Sequence, residues 1–185
     1  MTHKTERIPR YDFHISKCEK CKISEHGNVK YLELLLNHDS STKQAIPPIN
    51  LLDTHTVEKY LCDTFGLSKI EDLKGKEIWS IAGFSEVFTL INPKDKKMFN
   101  LKSFYLADNF KNDIEEYKKL DEYKHVNLDN AGMINFIALS ESIKKINQND
   151  PKLKEIHDDV KKYLLFVNLD SSLDDKTEFT PKMKI

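Results

Sequence analysis

The stretch GLSKIEDLKGKEIWSI, residues 66–81, decides the fold, because it places a helix stop, a new start and a second stop where there is no room for a loop. Gly66 supplies the left-handed residue that ends a helix. Ser68 and Glu71 match the S-x-x-E capping box, which predicts a short turn through Leu73. Gly75 ends that turn, and Ile78, Trp79 and Ile81 begin a strand whose successive side chains face opposite sides. Helix, turn and strand follow one another with almost nothing between them.

Working outward, DTHTVEKYLCDTFG carries Val57, Tyr60, Leu61 and Phe65 at helical spacing, started by Asp53 or Thr54. Before it, YDFHIS alternates Tyr11, Phe13 and Ile15 on one strand face. The signal EHGN turns the chain into VKYLELLLN, which is apolar on both faces and so belongs inside a sheet or under a helix. The segment HDSSTKQ with Pro47 and Pro48 reads as a loop, since prolines resist both helix and ladder. After the opening stretch, FSEVFTLI and MFNLKSFYL flank the polar turn NPKDKK as a second hairpin.

From Asp108 the period becomes helical. Phe110, Ile114, Tyr117, Leu120 and Tyr123 share one face, AGMINFIALSESIKKI gives a broad apolar face, and Asp150–Pro151 is an N-cap and N1 pair opening a third helix with Leu153, Ile156, Val160, Leu164 and Val167. The expected fold is α+β. A small mixed or antiparallel sheet of two hairpins packs with one helix over residues 1–106, a three-helix subdomain spans 107–170, and 171–185 is a frayed tail.

Composition narrows the function classes. With 39% hydrophobic and 32% charged residues in 185, the chain can build one modest core. No run of about 18 apolar residues is present to span a bilayer, and MTHKTERIPRYDF has no apolar secretion core, so a cytoplasmic location in a bacterial host is expected. Three cysteines, an odd number, suit a reducing compartment. A near-zero net charge is far from that of an autonomous nucleic-acid binder, although residues 1–104 carry a slight basic excess and residues 105–185 a slight acidic one. No phosphate-cradling or dinucleotide-binding glycine motif occurs, nor a nucleophile elbow, so no organic cofactor is expected.

Four constellations carry chemistry. His14, Cys18, Cys21 and His26, spaced H-x3-C-x2-C-x4-H, contain the ligand types of a structural zinc site. Two unpaired cysteines in a hairpin is the simpler account of the same residues. His38 and Asp39, with Asp53 and His55, supply the acid and base types that hydrolysis of a phosphodiester requires, while loop and cap roles explain them equally. Arg7, Arg10, Lys17, Lys20 and Lys22 interleave with Tyr11 and Phe13, a mixture that contacts RNA through charge and stacking or simply solvates a strand. Asp158, Asp159, Asp174 and Asp175 form an acidic helical surface able to meet a basic partner.

The runs VEKYLCDTFGLSKIEDLKGKEIWSI and VFTLINPKDKKMFNLKSFY resemble a small domain common in phages and conjugative elements of Gram-positive bacteria. The resemblance covers roughly residues 53–105 and is anchored on Leu73, Gly75, Lys76 and Phe104. The chain departs from that pattern where HDSSTKQAIPPIN replaces a glycine-rich strand, and in its helical extension. Proteins of this general look include inhibitors of type II-A CRISPR systems. The resemblance thus implies a counter-defence protein whose partner is a CRISPR effector nuclease, its guide RNA or both. A ribonuclease, acting alone or recruited by the effector, and a single-strand-binding accessory protein of phage or plasmid transfer are the alternatives.

Overall fold

The computed structural model describes residues 12–38, 42–50, 54–82, 87–100 and 110–173. The fold is α+β. It divides into two compact units, one of residues 14–99 and one of residues 100–173 together with 12–13. The six strands are β1 (Asp12–His26), β2 (Val29–His38), β3 (Thr42–Asn50), β4 (Glu77–Ala82), β5 (Val87–Ile91) and β6 (Met98–Asn100), and they form one sheet in the order β3-β2-β1-β4-β5-β6. The helices are α1 (Thr54–Phe65), α2 (Lys111–Tyr117), α3 (Asn130–Ile143) and α4 (Pro151–Leu173).

The first hairpin closes at Gly27–Asn28, where His26 pairs with Val29. Gly27, at φ +63°, occupies the first central position of a two-residue turn, where a left-handed residue matches the twist of the flanking strands. β2 is hydrogen-bonded on both sides, and Leu32, Leu34 and Leu36 are buried on one face. Pro47 and Pro48 do not sit in a loop. They belong to β3, in the irregular step where the register passes from Leu32↔Ile49 to Leu34↔Ile46. A ladder interruption on an edge strand tolerates two residues that have no N–H to give.

Deep burial on β1 falls on Ser16, Cys18 and Cys21, whereas Phe13 and Ile15 are half-buried. The even-numbered side therefore faces the core at the start of the strand, opposite to the expected Tyr11, Phe13 and Ile15 side. Ser16 makes this tolerable, because its hydroxyl lies 2.9 Å from that of Ser80 and both are buried. A buried hydroxyl with a hydrogen-bond partner escapes most of its desolvation cost.

In the stretch 66–81, Gly66 (φ +63°) follows α1, and the Leu67 N–H donates to Cys62 O at 2.9 Å, the six-to-one bond of a Schellman stop. No capping box forms at Ser68. The next turn is a single 3-10 turn, Ile70–Leu73, preceded by Lys69 with no side-chain cap. Burial of Ile70 and Leu73 fixes it instead. Gly75 (φ +83°) then donates its N–H to Cys18 O at 2.8 Å, and the Cys18 N–H donates to Lys76 O at 3.1 Å. Ser16 beside Ser80 and Cys18 beside Lys76 show that β1 and β4 run in opposite directions.

α1 buries Val57, Tyr60, Leu61, Thr64 and Phe65. The Tyr60 hydroxyl donates to Met98 O at 2.7 Å, with its ring 4.8 Å from that of Phe99. The second hairpin turns at Asn92–Lys97, where the Asn92 N–H donates to Lys97 O at 2.9 Å and Lys96 is left-handed. In the other unit, α2 ends at Tyr117 and does not run on to Tyr123. Turns follow, leaving Leu120 half exposed while Tyr123 is fully buried. The Tyr123 hydroxyl donates to Glu141 Oε1 and lies 3.2 Å from Ser140 Oγ, and its ring meets Tyr117 and Phe136 edge-on. A continued helix would carry Tyr123 along its own axis, and these partners draw it inward instead. Asp129 caps α3 through Gly132 N–H, and Asp150 caps α4 through the N–H groups of Lys152 and Leu153.

Leu73→Ala is expected to cost about 2–5 kcal/mol, as for other fully buried leucines. Gly75→Ala is expected to cost about 1–2 kcal/mol from its left-handed backbone alone, because an added Cβ there meets nothing within 4 Å. Urea unfolding of the two variants checks the order, and a Gly75→Ala cost above that of Leu73→Ala contradicts it.

Candidate nucleic-acid interface

One residue determines what the outer face of β1 displays. The register between β1 and β2 shifts between Cys18 and Lys20, leaving Glu19 as the extra residue of a β-bulge. Before the bulge the core side carries Ser16 and Cys18, and after it Cys21. The alternation is thereby offset by one. Lys17 precedes the bulge and Lys20 and Lys22 follow it, yet all three lie on the same solvent-facing side. Without the bulge, Lys17 would face opposite to the other two.

The cross-strand partners complete the face. Lys17 stands opposite Asn37, Lys20 opposite Leu35, Lys22 opposite Glu33 and Ser24 opposite Tyr31. Asn37 in turn pairs with Lys43 of β3. Lys20 Nζ lies 2.6 Å and Lys22 Nζ 3.9 Å from the same Glu33 oxygen. The hydrogen bond from Lys20, then that from Ser24, holds the Glu33 carboxyl below the usual carboxylate range. Among the described residues Lys17 has no ion-pair partner. The Tyr31 ring is half-buried, 6.1 Å from that of His26. The face therefore combines a lysine row, the shared Glu33 carboxylate, a Glu19 carboxylate that accepts from Asn37 Nδ2 at 3.1 Å, and two aromatic rings; lysines and aromatic rings are the ingredients with which sheet surfaces engage single-stranded nucleic acid. Arg7, Arg10 and Tyr11, expected with these lysines, lie outside the described residues.

The metal set does not assemble. His14, Cys18, Cys21 and His26 are all on β1, and an extended strand puts His14 about 13 Å from Cys18 and His26 about 16 Å from Cys21. Among the described residues no group of three or more His, Cys, Asp or Glu side chains can hold a metal ion. The thiols are also protected. Burial pushes the Cys18 thiol up to about 11, and burial, followed by the neighbouring Cys18, pushes Cys21 higher still. Burial, then Glu58, raises Cys62 as well. Zinc binds thiolates, whereas Cys18 and Cys21 pack as small apolar side chains.

Of the residues expected to do hydrolysis, His55 is exposed on the first turn of α1, and His38 ends β2 with its backbone opposite Ser16 and Thr42. Asp39 and Asp53 lie outside the described residues, as do Asp174 and Asp175 of the expected acidic surface. Asp158 accepts from Lys154 at 2.8 Å and lies 3.1 Å from His157 Nδ1, and these two contacts, Lys154 first, lower its pKa. α4 carries Lys152, Lys154, Lys161 and Lys162 along with Glu155, Asp158, Asp159 and Asp170 in its sequence.

The helical unit holds a second polar cluster. Lys144 donates to Glu122 at 2.7 Å and Glu141 at 2.8 Å, with its Nζ 5.9 Å from the Tyr123 ring centre. Burial opposes the Lys144 charge, but the two carboxylates outweigh it and raise its pKa. Beside this cluster a cleft of about 240 Å³ runs between α3 and α4, lined by Phe136, Ile143, Leu164, Leu165, Lys161 and Asn168 among others. No protein-family model matches the chain, and comparison with curated proteins and with solved structures gives no match.

The sequence reading missed Tyr31, Glu33 and His26 as parts of the face. Their signal was the pairing register, which the turn at Gly27–Asn28 fixes once that turn is recognised.

Raised thiol pKa values have a definite sign for stability. A Cys18 thiol that titrates near 9.0 when unfolded and near 11 when folded stays protonated longer in the folded state. Its contribution is complete below pH 9 and is lost as the pH rises towards 11, with a slope of at most about 1.4 kcal/mol per pH unit for one group. Urea midpoints measured from pH 8 to 11 should fall, and Cys18→Ala should flatten part of that fall. An unchanged slope in the variant assigns the effect elsewhere.

Proposed function

We propose that this chain is a counter-defence protein of a mobile genetic element, one that binds the guide RNA of a CRISPR effector nuclease through the outer face of β1 and β2. The observation that carries the reading is the bulge at Glu19, which brings Lys17, Lys20 and Lys22 into one row beside Tyr31. The partner follows from the resemblance of residues 53–105 to phage and conjugative-element domains. Binding requires no bond to be made or broken. The lysines neutralise phosphates and release counterions, and Tyr31 offers a stacking surface for an unpaired base.

Glu33 sets the strength of this interaction. It occupies Lys20 and Lys22 in the unbound protein, so RNA must displace it. Removing its charge should therefore tighten binding. Anisotropy of labelled guide RNA should show an affinity that falls with salt, with a logarithmic slope of about −0.7 for each lysine engaged. The triple variant K17A/K20A/K22A should lose most of that slope, and Glu33→Gln should bind more tightly and with a steeper slope. Retention of the protein on the guide-loaded effector, weakened by the same triple variant, identifies the target. Absence of RNA binding together with absence of effector retention sinks the reading, and shortening of the RNA replaces it with a nuclease.

A further inference from the structure

The geometry points to a binding site for a free aliphatic α-amino acid of leucine size in the cleft between α3 and α4. The site shares no residue with the lysine face and stands whether or not RNA binds. Phe136, Ser140, Ile143 and Lys144 fall on one side of α3 at helical spacing, and His157, Lys161, Leu164 and Asn168 do so on α4. These two stripes, with Glu122 from the turns before α3, wall a cavity of about 240 Å³. Phe136, Ile143 and Leu164 are its buried apolar surfaces. At roughly 30 Å³ for each water-sized group, the cavity accepts about eight such groups. That is close to the size of leucine and short of that of phenylalanine.

Charge selects the head group. Lys144 donates to Glu122 at 2.7 Å and to Glu141 at 2.8 Å, so two carboxylates share one ammonium and the α3 side keeps a negative excess. The Ser140 and Tyr123 hydroxyls that donate to the same carboxylates are neutral and do not cancel it. A carboxylate has about four lone-pair directions, and Glu122, which lines the cleft, spends one on Lys144 and one on Ser140. The α4 side is opposite in sign. Lys161 is exposed and has no ion-pair partner among the described residues. Asp158, which lies 3.1 Å from His157 Nδ1, is matched by Lys154 at 2.8 Å and leaves the Lys161 charge standing. A zwitterion satisfies both walls: its ammonium meets Glu122, its carboxylate meets Lys161, and its side chain lies on Phe136, Ile143 and Leu164. A fatty carboxylate would set its charge beside the surplus acid, and an alkylamine would leave Lys161 unmatched. Lys161 and Glu122 are both solvated, so the affinity is modest, with a dissociation constant of roughly 0.1–1 mM.

Amide NMR spectra of the isotope-labelled full chain, titrated with L-leucine, should show saturable shifts among residues 136–144 and 157–168. Isocaproate, which lacks the ammonium, isoamylamine, which lacks the carboxylate, and glycine, which lacks the side chain, should each bind at least about tenfold more weakly. Lys161→Gln should weaken L-leucine by a similar factor and leave isoamylamine unchanged, while Glu122→Gln should weaken L-leucine and leave isocaproate no weaker. Circular dichroism checks that each variant keeps its helices, and Lys161, being exposed, can be replaced without disturbing the core. Absence of saturable shifts at about 10 mM L-leucine, ten times the weakest affinity expected, overturns the proposal. So does isocaproate or isoamylamine binding as tightly as L-leucine, or an L-leucine affinity indifferent to Lys161→Gln.

Discussion

The backbone of Cys18 is the joint on which the sheet depends. Its carbonyl accepts from Gly75 and its N–H donates to Lys76. On one side lies the ladder β3-β2-β1 and on the other β4-β5-β6. A short isolated hairpin is marginal in water, and strands gain stability by joining a wider sheet with a buried face. The 3-10 turn Ile70–Leu73 delivers Gly75 to that position, with Leu73 fully buried as the anchor. The dense punctuation of residues 66–81 is the chemistry of a close crossing from helix to sheet. Each glycine there takes the left-handed backbone that a side chain resists.

The bulge lies one residue from the joint, and it ties the outer surface to the core. After Cys18, Cys21 must face inward to pack against Leu34 and its neighbours on β2. Without Glu19, Cys18, Lys20, Cys21 and Lys22 would alternate in and out with no bulge at all. With Glu19 present and no bulge, Lys20 and Lys22 would point into an apolar interior, at a desolvation cost of several kcal/mol for each charge. The bulge avoids that cost. The lysine row on the outer face is thus a consequence of satisfying the inner one.

Much of this architecture was legible in the sequence. Helix α1, the turn at Gly27–Asn28, the stop at Gly66 and the cap at Asp150 all rest on local signals, and the 3.6-residue period, the N-cap preference or the backbone needs of glycine make them readable. What escaped depends on distant partners. Ser16 faces inward because Ser80 meets it from 64 residues away, and Tyr123 leaves the helical pattern because Ser140 and Glu141 hold its hydroxyl. Pro47 and Pro48 enter a strand because β3 lies at the sheet edge with a break in its ladder. The zinc reading was undone by geometry: sequence spacing that looks compact becomes long once the segment is extended. For the lysine face, residue types were visible but their common side was not, since a bulge reverses parity without a mark in the composition.

Glu33 gives the lysine face a physical threshold. A carboxylate 2.6 Å from Lys20 and shared with Lys22 is a built-in competitor for any incoming anion. A single small anion would have to replace a partner already tethered by the fold, whose effective concentration is that of an intramolecular ligand. It gains little by doing so. Under the proposed function a polyanion differs, because phosphates meeting Lys17, which has no ion-pair partner among the described residues, would be held close to Lys20 and Lys22. Counterion release adds an entropic term that Glu33 cannot supply. On the proposed reading, the arrangement would discriminate by the number of linked charges rather than by the strength of any one contact.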